Sequence, residues 1–376
     1  MLNRRTLRIK IMQMLFAYEQ CKEANYLLGI DSIETFFKPD LNSMKIQDKE
    51  MLKGQREVAT RLFEKKFSGE DVPESPDPRV QESVDEAISL VAKLNKKDYS
   101  YFRKHILLEV EKINGLYISV LNLIPALESV AAQDKRISAK VFSGNPFVVA
   151  LRDHSALRKE TLRNGGSWDQ RMDLVRDWWR ECVKPDKTVQ DYLAMTKPET
   201  ADHTQFIKHL VRKLILGKTP INAWYEEHDL WWAEDHEIIR SMTDKTLKSM
   251  DEEGALEIQK LSLNWEEDKD FVERLFSSAA QLDAEYHALI AGHTKNWEVD
   301  RLPLTDRVIL HMALAEMLAF PNIPVKVTIN EYIELAKEYS TPKSRQFVNG
   351  ILDVLSKELV RTGKIRKSGR GLIDNK

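Results

Sequence analysis

Apolar residues recur along most of this chain at intervals of three and four rather than in alternation, and Gly and Pro gather between those segments instead of inside them. That pattern predicts an all-α protein. If a helix begins near Arg4, then Leu7, Ile11, Met14, Leu15 and Tyr18 form one buried stripe, and Arg4 and Arg8 share the opposite face. The best strand candidate is "VKVTI" at 325–329. Pro324 nevertheless suits a first helical position, and Val325, Ile329, Ile333 and Ala336 continue at helical spacing, so a helix is expected there too. The helix after it carries Phe347, Ile351 and Leu355 as its stripe. It also contains Gly350, which costs about 1 kcal/mol relative to alanine and would let another helix approach closely.

The breaks are equally legible. "SGEDVPESPDPR", from Ser68 to Arg79, has nothing to bury and reads as a linker. "NGGSW" at 164–168 is a second irregular zone, and "SGRGLIDNK" at the C-terminus reads as a flexible tail. Phe206 and Trp232 are separated by the same interval as Phe271 and Trp297, with Asp235 and Asp300 three residues after each tryptophan. Either a helix hairpin has been duplicated, or the match is coincidence in a tryptophan-rich helical chain.

Composition narrows the function classes. A chain of 376 residues with 42% hydrophobic residues has core enough for more than one domain. Its formal net charge is −2, so any nucleic-acid surface must come from local patches. Two isolated cysteines, Cys21 and Cys182, form no disulfide framework and no zinc-ligand spacing, which fits a reducing, cytoplasmic setting. No continuous apolar run approaches the roughly 20 residues that span a bilayer, and "MLNRRTLRIK" lacks the apolar segment of a secretory signal. No membrane association is expected.

The catalytic motifs are absent: no HExxH, no GxSxG, no Gly-rich dinucleotide fingerprint. "LGKT" at 216–219 imitates the end of a phosphate-binding loop without its leading glycine, and His287 and His293 lack the spacing that puts two ligands on one helix face. The acids of "WEEDKD" from Trp265 suit a solvated first helical turn. Neither an enzyme nor a cofactor site is expected. Positive charge, by contrast, gathers in three places. Arg4, Arg5, Arg8 and Lys10 open the chain with no acid among them. Lys343 and Arg345 follow Thr341, a candidate cap, and Pro342, a candidate first helical residue, at a spot where free N–H groups and the helix dipole favour an anion. The third is Arg361–Arg370, with five basic residues and no acid.

"IPVKVTINEYIELAKEYSTPKSRQFVNGILDVLSKEL" resembles the C-terminal signature of the NusB transcription antitermination family. "RRTLRIKIMQMLFAYEQ" is similar to that family's first helix, and "DFVERLFSSAAQLDAEYHALIAGHTKNWEVDRLPLTDRVILHMALAEML" is covered as well. The resemblance implies a NusB-like helical bundle with additional helices inserted after the first helix. It implies binding of single-stranded boxA-type RNA together with the ribosomal protein NusE, within the transcription elongation complex, and neither catalysis nor a cofactor. Residue by residue it implies RNA contacts from Arg4, Arg5, Arg8, Lys343, Arg345, Gln346 and Phe347, and partner contacts from Phe16, Asp300 and Asp306. The stretch from about Leu27 to Leu261 has no counterpart in the resemblance. The organisation expected is an N-terminal helical segment at 1–67, a helical insertion at 80–261, a NusB-like core at 262–360 and a basic tail at 361–376.

Overall fold

The computed structural model describes residues 1–375 except 41, 43–45, 137, 218, 283 and 294–301. Among the described residues the fold is all-helical, with no strand. In chain order the helices are α1 (Arg4–Phe36), α2 (Lys49–Phe67), α3 (Pro78–Gln133), α4 (Lys140–Ser143), α5 (Pro146–Asp153), α6 (Ser155–Asn164), α7 (Met172–Trp178), α8 (Lys187–Leu193), α9 (Thr200–His209), α10 (Pro220–His228), α11 (Trp232–Lys248), α12 (Trp265–Ala280), α13 (Ala284–His293), α14 (Leu304–Ala319), α15 (Val325–Tyr339) and α16 (Ser344–Arg361). Of the linker expected from Ser68 to Arg79, residues 68–77 fall between α2 and α3, and Pro78 and Arg79 open α3. The chain divides into two compact units, one formed by residues 1–7 and 108–268, the other by 8–107 and 269–376.

The first unit is built around the second half of α3, where Ile113, Tyr117, Leu121, Ile124 and Leu127 are all fully buried. One helix among the described residues, α3, is long and apolar enough to cross a membrane, which corrects the expectation that nothing approaches that length. Charged residues interrupt its apolar run in sequence, yet the 18-residue window as a whole qualifies. Of that window, 61% is buried inside the protein, as suits a core helix. The tryptophans pack here. Trp168, Trp178 and Trp224 contact one another edge-on or tilted, and Trp168 Nε1 donates to the Ser119 carbonyl at 2.9 Å. The bounds of α9 with its π-helical continuation (Leu210–Ile215) and of α10 recur to within one residue, at the interval that separates Phe206 from Phe271, in α12 and α13. Trp297 and Asp300 lie outside the described residues.

In the second unit, the C-terminal half of α1 packs with α2 and the first half of α3 through Ile33, Phe37, Phe63, Val84 and Val91. Gly29 makes this approach possible: a Cβ there would stand 2.7 Å from Val91 Cγ2 and 2.8 Å from Phe63 Cζ. The α1 stripe is as the spacing predicts, with Leu7, Ile11, Met14, Leu15 and Tyr18 buried. The remaining bundle centres on α14, buried continuously from Val308 to Met317, as suits a helix whose run is apolar on all sides save for His311 and Glu316. Helices α15 and α16 pack against it and against each other.

Three local expectations change. Pro324 caps α15 rather than opening it, and the buried face is Thr328, Tyr332, Leu335 and Ala336, one residue round from the stripe through Val325, Ile329 and Ile333. Gly350 is exposed, with nothing among the described residues within 4 Å of the Cβ it lacks, so no described helix approaches it. The basic C-terminal stretch is not a free tail. Ile365 is buried, and Lys367 Nζ donates to the carbonyls of Met317 and Phe320, both at 2.9 Å, filling acceptors that the end of α14 leaves open.

Candidate nucleic-acid interface

Each basic residue that the sequence singles out has a different fate. Arg4, in the first unit, ion-pairs with Glu267 at 2.5 Å and lies 3.8 Å from Asp268, so its charge is met by the acids that open α12. Arg5 is exposed. Arg8, in the second unit, is 3% exposed and does not form the solvent-facing basic surface expected of it. Its Nε and Nη2 donate to the two carboxylate oxygens of Glu316 at 2.8 and 2.9 Å, a bidentate pair, and its Nη1 reaches Glu331 at 3.4 Å.

Glu316 is fully buried and takes two further hydrogen bonds, from Thr328 Oγ1 at 2.9 Å and from the Tyr332 hydroxyl at 3.1 Å. This acid explains the rotation of α15. The hydroxyls of Thr328 and Tyr332 must face inward to serve a carboxylate shut off from the protein surface, because a buried charge is tolerated only when paired and hydrogen-bonded. Burial tends to lower the Arg8 pKa, but the hydrogen bond and charge of Glu316 outweigh it and hold Arg8 above its ordinary value. Burial first, then the neighbouring Glu316, drives the Tyr332 phenol well above its own. A glutamate inside the otherwise apolar run "HMALAEMLA" is the sequence signal for such a knot, and only its partner is hidden.

A second polar knot fixes the start of α16. Ser344 Oγ donates to Asp306 Oδ2 at 2.6 Å, accepts from Ser340 Oγ at 3.0 Å, and lies 2.8 Å from Thr341 Oγ1. Asp306 is 2% exposed, in the first turn of α14 where the helix dipole favours its charge. It is therefore no surface residue for a partner, contrary to what the resemblance implies. Its work is to anchor the turn that carries Lys343. Thr341 does not cap α16 with its side chain, and Pro342 is not its first residue. A turn closed by Ser344 N–H to the Thr341 carbonyl at 2.9 Å leads in, Lys343 occupies the cap position, and the helix proper starts at Ser344.

From this anchored turn Lys343, Arg345 and Gln346 point to solvent, and Phe347 is half-buried at the edge of the stripe formed by Val348, Leu352, Leu355 and Leu359. The geometry offers two cations, an amide and an aromatic edge at a helix start with no acidic residue in its first turn. Phe16 on α1 is 38% exposed. Asp300 lies outside the described residues. Among the described residues no cluster of His, Cys, Asp and Glu could hold a metal ion, and both cysteines are free thiols.

Residues 232–357 match the family model described as NusB family. The chain is 46% identical over 106 residues to the transcription antitermination protein NusB of Chloroherpeton thalassium, covering 28% of this chain and 50% of that one. It is 44% identical over 105 residues to the NusB of Salinibacter ruber, covering 28% and 66%, and 42% identical over 94 residues to that of Koribacter versatilis, covering 25% and 64%. The matched part thus spans half to about two thirds of these relatives' own lengths. No solved structure matches the chain. The matched residues hold Glu316 with its two hydroxyl donors, the Asp306–Ser344 knot and the exposed start of α16, and they constitute a NusB-family domain.

Proposed function

We infer that this protein is a cytoplasmic, non-catalytic transcription antitermination factor. It binds boxA-type single-stranded RNA together with the ribosomal protein NusE in the transcription elongation complex. The observation that carries this reading is the start of α16, where Lys343, Arg345 and Gln346 are exposed beside the half-buried Phe347 on a turn locked from behind by Ser344 and Asp306. Cations at a helix start suit phosphate, and an aromatic edge next to them suits an unpaired base. Arg5 adds an exposed cation, and Phe16 an exposed apolar contact for the protein partner. A helical scaffold that binds proteins and not RNA is the alternative, favoured by the internal ion pairs that occupy Arg4 and Arg8. Titration of the purified chain with a boxA-like RNA and a scrambled control, each with and without NusE at two salt concentrations, separates the two. Tight, sequence-dependent and NusE-enhanced binding is expected. Failure with both RNAs while NusE still binds establishes the scaffold.

A further inference from the structure

Between Lys93 and His105, helix α3 presents its two sides to very different surroundings. On the inner side Phe102 is buried, as are Val91 and Ile106 just beyond the two ends of the stretch; Tyr99 stacks on Phe276, and Tyr18 packs edge-on to both Tyr99 and Phe102. On the outer side Lys93, Lys96, Lys97, Arg103 and Lys104 are exposed, within a 12-residue stretch. At 100° per residue these five occupy an arc of about 120° centred on the exposed Ser100. The only acid in the stretch, Asp98, is turned inward and accepts from Asn25 Nδ2 at 2.6 Å, and Asn25 also bonds Asn95 at 3.0 Å. None of the five cations forms an ion pair with a described residue. At the border of the arc Tyr101 is exposed for 53% and stacked on His105, with ring centroids 3.8 Å apart, while His105 Nδ1 meets the Tyr101 carbonyl at 2.8 Å.

A solvated helix face ordinarily intersperses both signs of charge; here one sign is exposed and the other is spent on holding α3 to α1. We propose that this outer arc of α3 is a second RNA-contacting surface, where a single strand lays its phosphates along the five cations and stacks a base on Tyr101. From Lys93 to Lys104 the axis runs about 17 Å, room for about five phosphates at the stacked spacing of about 3.4 Å per nucleotide. Lysines on flexible stems read charge and not sequence, so the surface would hold RNA flanking a specific site, whatever its sequence. The inference shares with the reading above only the premise that the chain binds RNA.

The experiment is fluorescence anisotropy of the full chain with a labelled 20-nucleotide oligouridylate across a potassium chloride series. Three variants are compared with the wild type: Lys96→Gln/Lys97→Gln/Arg103→Gln/Lys104→Gln, Tyr101→Leu, and Lys343→Ala/Arg345→Ala. All substituted side chains are exposed, and circular dichroism checks the fold. The α3 quadruple variant is expected to bind about tenfold more weakly or worse, with the log–log salt slope flattened by about 0.7 per lost contact. Tyr101→Leu is expected to weaken binding about fivefold with the slope unchanged, as loss of stacking would. If the quadruple variant keeps the wild-type affinity and slope while Lys343→Ala/Arg345→Ala weakens binding, the α3 surface is refuted and the α16 reading stands. If the α3 variant weakens binding and the α16 variant does not, the α3 surface stands and the α16 site falls. Equal displacement by duplex RNA, together with an inert Tyr101→Leu, refutes the single-strand stacking part.

Discussion

Replacing Arg8 with methionine tests whether this residue is a core anchor or an RNA ligand. The substitution keeps an unbranched apolar side chain of similar reach but strands Glu316, fully buried, with only the Thr328 and Tyr332 hydroxyls. The two charge-assisted bonds to Glu316 are lost, at about 1.5–3 kcal/mol each, together with the longer one to Glu331. Breaking a buried pair by removing one partner costs about 3–5 kcal/mol by a separate route. Both estimates are several times larger than the about 0.5 kcal/mol of an ordinary surface substitution. Urea unfolding followed by circular dichroism gives the loss, and native-state hydrogen exchange of α14 amides localises it. Pairing Arg8→Met with Glu316→Leu should recover much of the stability, because the penalty lies in the orphaned carboxylate rather than in any special worth of the pair. A single variant that unfolds like wild type but binds RNA with a flattened salt slope would refute the reasoning, since Arg8 would then be spending its charge on phosphate.

The other expectations can be checked in the same assays. Asp306→Ala removes the acceptor of the buried Ser344 hydroxyl and should cost about 1–3 kcal/mol in urea; at the same time the 15N-resolved exchange of the first turn of α16 should accelerate. Two glycines in helices should respond with opposite signs. Gly29→Ala forces a methyl against Val91 and Phe63 and should destabilise by about 1–3 kcal/mol, relieved by adding Phe63→Leu. Gly350→Ala meets open space and should raise stability by about 0.5–1 kcal/mol. His311 is pushed down to about 3, first by burial and then by the charges of His287, Arg307 and Lys22. Unfolded His311 therefore binds a proton below about 6.5 that the folded residue refuses until about 3. Stability should fall by up to about 1.4 kcal/mol per pH unit as pH drops through that window, and His311→Gln should flatten this dependence between pH 6.5 and 5.

Apolar spacing alone suffices for the helical character, for the α1 stripe through Leu7 and Tyr18, and for the linker before α3, since each depends on neighbours within a few residues. What it cannot deliver is the direction of a charged side chain whose partner is distant in the chain. Arg8 and Glu316 are 308 positions apart, so Arg8 reads in sequence like Arg5 beside it, although one is buried and the other faces water. The same blindness acts in reverse on α3. In "KLNKKDYSYFRKH" the acid Asp98 interrupts the cations and makes the segment look balanced. Only the folded helix, by turning Asp98 toward Asn25, leaves the outer arc uniformly positive. Local charge count is therefore a poor guide to a binding surface in this protein; what matters is which charges the core consumes. By that measure Arg4 and Arg8 lose weight as RNA ligands. Lys343, Arg345 and the five cations of α3 between Lys93 and Lys104, none in an ion pair with a described residue, gain it.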